Sequence, residues 1–426
     1  MLYRLHYSEI ELKALRRSGA ARFCLNVHFG FSVTASVVYF NLQREFMKLK
    51  STIIPLSGAI ALMFASAAYS QEVVKIAHVG PLSGPNAHMG KDNENGARMA
   101  IDELNAKGVS IGGKKVKLEL VGEDDASDPK QATAVATKLV DTKVAAVIGH
   151  LNSGTTIPAS KIYNDAGIPQ VSPSATNPKY TQQGFKTAFR VVANDAQLGA
   201  VLGKYAVKNM KTKNVAVIDD RTAYGQGVAE EFAKGAKSSG ATIVGTQFTN
   251  DKATDFNAIL TSIKSKKPDV IFFGGMDAVG GPMLRQMKQL GISAKFMGGD
   301  GVCTGSLPGL AGDGLIDDQV VCAEAGGVDA SGKKGMDDFR AAYKKKYGID
   351  VVYNAAYAYD ATMTVVEAMQ KAGSASPAKY LPELAKAHHK GVTGMIAFDA
   401  KGDIKDGSLT LYTYKGGQRT LLEVVK

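Results

Sequence analysis

The chain has 426 residues, which exceeds what one hydrophobic core usually supports, so its length favours two lobes. Hydrophobic residues make up 45% and charged residues 21% of the chain, a balance that excludes disordered and fibrous proteins. The formal net charge is +11, but residues 71–426, with 43 basic and 37 acidic side chains, have no clustered basic stripe, so no nucleic-acid partner is expected.

A secretory signal peptide is predicted over residues 47–70. Two lysines precede an uncharged apolar stretch over residues 53–65, and small residues follow it. This stretch is shorter than the roughly 20 residues that a membrane-spanning helix needs. The small residues at 68–70 favour cleavage just before Gln71, and we expect export to the periplasm. Residues 1–46 show no regular pattern of a folded domain. We expect them to be a non-native stretch ahead of a start at Met47, or else a genuine but unstructured extension.

Strand-like and helix-like segments alternate from the start of the exported part. Ala97, Ile101 and Leu104 recur at the spacing of one helix face, and Asp128 followed by a proline is typical of a helix start. The predicted strands are 73–79, 116–121, 145–148 and 170–172. The predicted helices between them are 90–107, 128–140 and 157–165.

The same alternation restarts after Arg190. Short, fully apolar strands between amphipathic helices predict parallel sheets covered on both faces, and therefore an α/β fold. The predicted strands are 215–218, 243–248, 270–273 and 295–297, and the predicted helices are 197–209, 227–238, 256–264 and 281–290. The tail adds predicted helices at 337–347, 355–371 and 378–387 and a closing hairpin of 408–414 with 420–425.

Motifs for nucleotide-dependent or hydrolytic chemistry are missing from the sequence. The turn after the first predicted strand reads GPLSGPNAHMG, without the G-x-G-x-x-G spacing, and no G-x-x-x-x-G-K-[ST] occurs. His150 and Ser153 are close in the chain, but no G-x-S-x-G surrounds the serine. His388 and His389 lack Cys or acidic partners at metal-binding spacing. We therefore expect no catalytic residues, no metal and no cofactor.

Two kinds of polar residue follow the predicted strands. Acidic pairs at 124–125 and 219–220 end strands, where a pocket for Mg²⁺ is one alternative, but they are most simply explained as caps of the next helices. Hydroxyl-rich segments at 150–156 and 172–178 follow the third and fourth strands. The carboxyl ends of parallel strands form the ligand crevice of an open sheet, and hydroxyls beside helix N-terminal amides suit an anion such as a carboxylate. The alternative is that these serines and threonines only cap helices.

The sequence contains three cysteines. Cys24 falls in the excluded extension, which leaves Cys303 and Cys322 in the exported part. Two cysteines about twenty residues apart in an oxidising compartment are compatible with one disulfide. Two unrelated buried thiols are the alternative.

Several segments, in this order, closely resemble one known family. They are DDASDPKQATAVATKLV (124–140), VIGHLNSGTTIPAS (147–160), VSPSATNP (171–178), AYGQG (223–227), MGGDGV (297–302) and FDAKGDIK (398–405). The family is that of the periplasmic leucine/isoleucine/valine-binding proteins, the substrate-binding components of branched-chain amino-acid ABC transporters. The resemblance spans essentially all of residues 72–426.

The resemblance implies a two-lobed type I periplasmic binding protein. Each lobe would be a parallel sheet flanked by helices, and three crossover strands would join the lobes, which close on the ligand by hinge bending. The implied lobes are 71–193 plus 324–398 and 194–323 plus 399–426, with crossovers near 192–194, 322–324 and 396–399.

The resemblance also implies where an amino acid would bind. Contacts to its α-carboxylate fall on Ser153 and Thr176, and contacts to its α-ammonium fall on the Ser174 carbonyl, the Thr176 hydroxyl and Asp300. A buried zwitterion needs both charges matched by charge-assisted hydrogen bonds. The full set of expected ligand-binding residues is Leu151, Ser153, Ser174, Ala175, Thr176, Tyr224, Asp300, Met89 and Met276.

The sequence departs from the family at some of these positions. Asp300 stands where the family typically has glutamate, and Ser127 with Asn152 replaces a usual cysteine pair. Met89 and Met276 stand where aromatic residues are common, and methionine adapts to irregular shapes.

The expected ligand is therefore an amino acid, with leucine, isoleucine or valine favoured. Another small amino-acid-like or amide ligand is the alternative, and an α/β enzyme is a remote one. The resemblance implies an ABC transporter permease in the inner membrane as the partner, and we expect the protein to be a monomer.

Overall fold

The computed structural model describes residues 71–328 and 332–425. The signal peptide predicted over 47–70 and the extension predicted over 1–46 lie outside these residues. Within the described ranges no helix is long and apolar enough to cross a membrane. Two separate sheets flanked by helices form two lobes, which confirms the predicted α/β fold class.

The first lobe is built on a six-stranded sheet. Its strands are β1 (Glu72–Gly80), β2 (Ser110–Ile111), β3 (Lys114–Asp124), β4 (Ala146–Gly149), β5 (Gln170–Ser172) and β6 (Ala188–Arg190). Their order is β2-β3-β1-β4-β5-β6, and all pairs are parallel except β2 with β3. Every residue of β4 and β5 is buried, as expected for strands covered on both faces.

The second lobe is built on a seven-stranded sheet. The remaining strands are β7 (Asn214–Asp219), β8 (Thr242–Phe248), β9 (Val270–Gly274), β10 (Lys295–Gly298), β11 (Val320–Glu324), β12 (His389–Gly391), β13 (Gly394–Ile396), β14 (Leu409–Lys415) and β15 (Gln418–Val425). The order is β15-β14-β11-β10-β9-β7-β8, while β12 and β13 form a separate ladder. Strands β7 to β11 pair in parallel, and the predicted closing hairpin, β14 with β15, adds two antiparallel strands.

The helices in the described ranges cover both sheets. They are α1 (Ala87–Lys107), α2 (Pro129–Asp141), α3 (Ser153–Asp165), α4 (Asp195–Lys208), α5 (Ala223–Ser238), α6 (Asn257–Ser265), α7 (Asp277–Gln289), α8 (Leu307–Ala311), α9 (Lys333–Tyr347), α10 (Ala355–Lys371) and α11 (Pro377–Ala385). Helices α3, α5 and α7 each begin four residues earlier than predicted. The first turn of each contains a glycine, whose low helix propensity concealed these starts.

The acidic pairs at 124–125 and 219–220 do not cap helices, which corrects a prediction. Asp128 caps α2 and Thr222 caps α5, each through its side-chain oxygen. All four carboxylates of the two pairs instead accept a hydrogen bond from the backbone N–H two residues later. An aspartate directly after a strand stabilises a tight turn in this way.

Three connections run between the lobes in the described ranges, after β6, after β11 and after β13. The Ala193 N–H donates to the Ala325 carbonyl at 3.1 Å, so the first two connections lie side by side. A groove lined in part by residues 191–193, 325–328 and 404–408 opens beside them, apart from the expected ligand-binding residues. The lobe boundaries given above remain a prediction.

Cys303 and Cys322, the two cysteines expected to pair, are joined by a disulfide with Cα atoms 5.3 Å apart. Cys322 lies in β11 and Cys303 lies in the loop after β10, two neighbouring parallel strands. The bond therefore closes the connection between them.

Replacing both cysteines with alanine is expected to lower the free energy of unfolding by about 3 kcal/mol, because the disulfide joins residues 19 positions apart and so restricts the unfolded chain. Denaturant unfolding of the oxidised wild type and the double variant would measure the difference. Reduced wild-type protein is the control, since it keeps both side chains. A loss below about 1 kcal/mol in both comparisons would contradict the expectation.

Candidate functional site

The hydroxyl-rich segments after β4 and β5 form a polar wall at the end of the first sheet, and this wall contacts the second lobe. The His150 carbonyl accepts hydrogen bonds from the hydroxyls of Ser172, at 2.9 Å, and Thr156, at 3.2 Å. The Ser153 hydroxyl accepts from the backbone N–H of Asn177 at 3.2 Å. The two segments therefore lie side by side at the carboxyl ends of two neighbouring parallel strands, where open sheets bind ligands.

The first turn of α3 meets this wall without a side-chain cap. The N–H groups of Ser153 and Gly154 precede the first helical hydrogen bond, so the helix itself supplies no acceptor for them. Asn152 occupies the N-cap position but makes no capping hydrogen bond, because its Oδ1 accepts from the Ser127 hydroxyl at 2.9 Å. The positive end of the helix dipole is thus left for an anion.

The loop after β5 completes the wall. The Ser174 hydroxyl accepts from Asn93 Nδ2 at 2.6 Å, and the Ala175 carbonyl accepts from Arg190 at 2.9 Å. The Thr176 hydroxyl is fully buried and has no hydrogen-bond partner among the described residues. A buried hydroxyl without a partner is unfavourable unless a ligand supplies one.

The second lobe contributes Tyr224, near the start of α5, and Asp300, after β10. The Tyr224 hydroxyl donates to Asp300 Oδ1 at 2.9 Å and accepts from the Gly301 N–H at 2.9 Å. Tyr353, which lies just before α10, donates to Asp300 Oδ2 at 2.7 Å. Two phenols thus hold the carboxylate, and each oxygen keeps a lone pair for a further donor.

Two carboxyl groups are buried in this region. Burial raises the pKa of Asp300 to about 6, although the hydrogen bonds from Tyr353 and Tyr224 favour its ionised form. Burial also raises the pKa of Asp195 well above its usual range, and the charge of Asp300 adds to that shift. Neither Asp195 oxygen has a donor at hydrogen-bond geometry, although the Thr176 hydroxyl lies nearby. Such a pair of carboxyl groups would be stabilised by a cation.

The two lobes touch across the cleft. Asn177 Nδ2 donates to the Ala223 carbonyl at 2.6 Å, and His88 Nε2 lies 2.9 Å from Asp277 Oδ2. A Cβ atom at Gly227 would lie 2.5 Å from Asn177 Nδ2, so glycine permits the close approach of α5 to the first wall. The structure therefore brings the polar groups of both lobes together.

Apolar side chains line the same region. All nine residues expected to bind the ligand are at most 7% exposed. Leu151, Met89 and Met276 belong to the same apolar cluster as Tyr224. Their proximity gives the polar groups an apolar surround, which suits an aliphatic side chain.

Sequence reasoning missed three residues of this region. Asn93 lies one turn before Ala97 on the predicted apolar face of α1, and a polar residue there is a signal that could have been used. Asp195 follows the capping residue of α4 and looks like an ordinary first-turn acid. Tyr353 is far from Asp300 in the chain, and no local pattern indicates their contact.

His150 and Ser153 do not form a base and nucleophile pair. The ring nitrogens of His150 contact Asp125, at 2.8 Å, and the Tyr163 hydroxyl, at 3.0 Å, rather than Ser153. In the part of the chain that the structure describes, no group of three or more His, Cys, Asp or Glu could hold a metal ion.

Comparisons with known proteins agree with this architecture. A 37% identical relative is the leucine-, isoleucine-, valine-, threonine- and alanine-binding protein of Pseudomonas aeruginosa; the match covers 84% of this chain and 94% of the relative. A branched-chain amino acid transporter substrate-binding protein of Streptococcus pneumoniae, solved in complex with isoleucine, is 29% identical with a TM-score of 0.74 and covers 83% of this chain and 99% of its own.

A leucine-binding protein of Thermotoga maritima is 28% identical with a TM-score of 0.74, over 83% of this chain and 98% of its own. The family model described as periplasmic binding protein matches residues 73–418. These matches confirm the resemblance seen in the sequence, and the chain belongs to the periplasmic binding protein family.

Proposed function

We propose that the protein binds a branched-chain amino acid outside the inner membrane, in the cleft between its lobes, and delivers it to the permease of an ABC importer. Membership of the family supports an extracytoplasmic location, and so does the signal peptide predicted over 47–70. The names of the relatives support the ligand class.

The observation that carries the proposal is a set of buried polar groups between the lobes, with donors suited to an anion at one end and carboxyl groups suited to a cation at the other. At the first end, the uncapped amides of α3, the Ser153 hydroxyl and the unpartnered Thr176 hydroxyl suit a carboxylate. Ser153 already accepts a hydrogen bond from Asn177, so its own proton is free to be donated to the ligand.

At the second end, Asp300 accepts the α-ammonium group. Its two phenol partners leave it with unused lone pairs, and its raised pKa reflects burial without a cationic neighbour. The Ser174 carbonyl and the Thr176 hydroxyl supply the other acceptors. Asp195 adds a second buried carboxyl group near Thr176, which increases the preference for a cation.

The ligand's side chain packs against Leu151, Met89 and Met276. Methionine is flexible, so we expect the pocket to accept several aliphatic shapes. The Pseudomonas relative, whose name includes threonine and alanine, supports a pocket of this breadth. Leucine, isoleucine and valine remain the favoured ligands, and other small amino acids come second.

We also propose that the lobes close by bending at the three connections. The hydrogen bonds between the lobes, from Asn177 to Ala223 and between His88 and Asp277, would form on closure and would shield the ligand from water. In this proposal the moving lobes are those predicted from the sequence, 71–193 plus 324–398 and 194–323 plus 399–426.

Calorimetric titration of residues 71–426 tests the proposal. Isoleucine, leucine and valine should bind most tightly in a panel that includes threonine and alanine. Two isoleucine analogues are the controls, the amine without the carboxylate and the acid without the ammonium group. Each should bind at least about thirtyfold more weakly, because it leaves one end of the cleft unpaired. Equal binding of either analogue, or no binding by any amino acid, would refute the proposal.

A further inference from the structure

Asn152 has the backbone of a capping residue but does not cap. Its φ of −78° and ψ of 139° are typical of an N-cap, and asparagine is among the best capping residues. Asn194, the same residue type at the start of α4, does cap, since its side chain accepts from the N–H groups of Ala196 and Gln197. The absence of the cap at α3 therefore needs a local cause.

The cause is a hydrogen bond to a neighbouring loop. The Ser127 hydroxyl donates to Asn152 Oδ1 at 2.9 Å and accepts from Asn86 Nδ2 at 3.2 Å. Ser127 is itself held in place, because its N–H donates to Asp125, which is fully buried and also contacts His150. The serine is thus fixed where it draws the Asn152 side chain away from α3.

We propose that Ser127 is a positioning residue that keeps the N-terminal amides of α3 free for the ligand's carboxylate. The inference rests on the proposed function. An asparagine cap accepts from the N–H groups of the second or third helical residue. Gly154 is the second residue of α3, so a capping Asn152 side chain would compete with the ligand for the same amide.

A second observation points to an anion at this helix end. The Thr176 hydroxyl, in the neighbouring loop, is fully buried and makes no bond of full hydrogen-bond geometry in the described chain, although the Asp195 carboxyl group lies near it. The Ser153 hydroxyl bonds to Asn177 in the same loop, which ties Thr176 to the start of α3. A carboxylate would accept from these hydroxyls and from the uncapped amides together, and a capping side chain would displace it from the amides.

Ser127→Ala tests the inference. Without the serine hydroxyl, Asn152 should turn and cap α3, so isoleucine should bind about fivefold more weakly, the usual strength of one side-chain cap. The melting temperature of the ligand-free variant should be equal to or higher than that of the wild type, because the helix gains a cap. A threonine replacement is unsuitable, since Ser127 has a φ of +58° and a β-branched residue is strained there.

Asn152→Ala and the double variant are the matched controls. Neither has a side chain that can cap α3, so both should bind isoleucine within about twofold of the wild type. In the double variant, Asn152→Ala should therefore restore the affinity that Ser127→Ala alone loses. Wild-type affinity in Ser127→Ala would overturn the inference. A double variant as weak as Ser127→Ala would also overturn it, because the pair would then act only as a brace. Both outcomes leave the proposed function standing, since that depends on isoleucine binding by the wild type.

Discussion

Asp300→Asn is expected to weaken isoleucine binding by at least tenfold. Asparagine keeps the shape of the side chain and can still bond to Tyr224 and Tyr353, but it removes the charge that pairs with the ammonium group. Removing one partner of a buried charge pair typically costs about 2–5 kcal/mol. Calorimetric titration of the variant and the wild type measures the effect directly.

The melting temperature of ligand-free Asp300→Asn separates a binding role from a structural one. We expect it to stay close to that of the wild type. Ser153→Ala is the matched comparison at the other end of the cleft, and it should lose less affinity because the α3 amides and the Thr176 hydroxyl remain. A variant that binds as the wild type but melts earlier would show that Asp300 only stabilises its turn.

The pH dependence of binding gives the same test a second readout. The pKa of Asp300 is raised to about 6 by burial, so the group is mostly ionised above about pH 7 and mostly protonated below about pH 5. Because an ammonium ligand needs the ionised form, wild-type affinity should fall as the pH drops through about 6, by up to tenfold per pH unit. Asp300→Asn should show a flatter profile. Equal profiles would assign the pH effect to other groups, such as His88 or Asp195.

Arg190→Met is expected to have the largest effect on stability, lowering the free energy of unfolding by about 3–5 kcal/mol. The Arg190 side chain is fully buried and donates to the carboxylate of Asp403 and to the carbonyls of Ala175 and Asn177, at 2.9 Å and 3.0 Å. Methionine fills similar space but leaves these acceptors unpaired. Denaturant unfolding measures the loss.

The same substitution should weaken isoleucine binding even where the protein is folded. The carbonyls that Arg190 holds belong to the loop that carries Ser174 and Thr176, so the loop would lose its fixed position. Combining Arg190→Met with Asp403→Leu is the control, because it removes the unpaired charge and should recover part of the stability but none of the affinity. A loss of stability below about 1 kcal/mol would contradict the role given to Arg190.

Most strands and helices could be predicted from local patterns. The apolar runs of β4, β9 and β10 mark buried strands, and the Asp128-Pro129 start of α2 appears in the structure as predicted. The starts of α3, α5 and α7 could not be placed, because their first turns contact distant parts of the chain: Ser153 and Ala223 both bond to Asn177, and Asp277 bonds to His88. These turns lie next to the candidate site, so helix prediction from local propensity is least accurate for the residues around that site.

The site itself was harder to predict. The residues alone left open whether the hydroxyls after β4 and β5 bind a ligand or cap helices, and the family resemblance was needed to assign them. In the structure Asn177 caps a short turn at 178–180, whereas Ser153 and Thr176 cap nothing. Tyr353 and Asp195 become neighbours of Asp300 only through long-range folding, which no local pattern encodes.

The disulfide also links the binding site to the compartment in which the protein works. Cys303 follows Asp300 by three residues, and its N–H donates to the Asp300 carbonyl, so the bond to β11 secures the loop that carries the ligand's acidic partner. Cytosolic thiols stay reduced, and only an oxidising compartment supplies this bond. A chain awaiting export therefore holds Asp300 less firmly. Protein with reduced cysteines is therefore expected to bind amino acids less tightly than the oxidised protein found outside the cytosol.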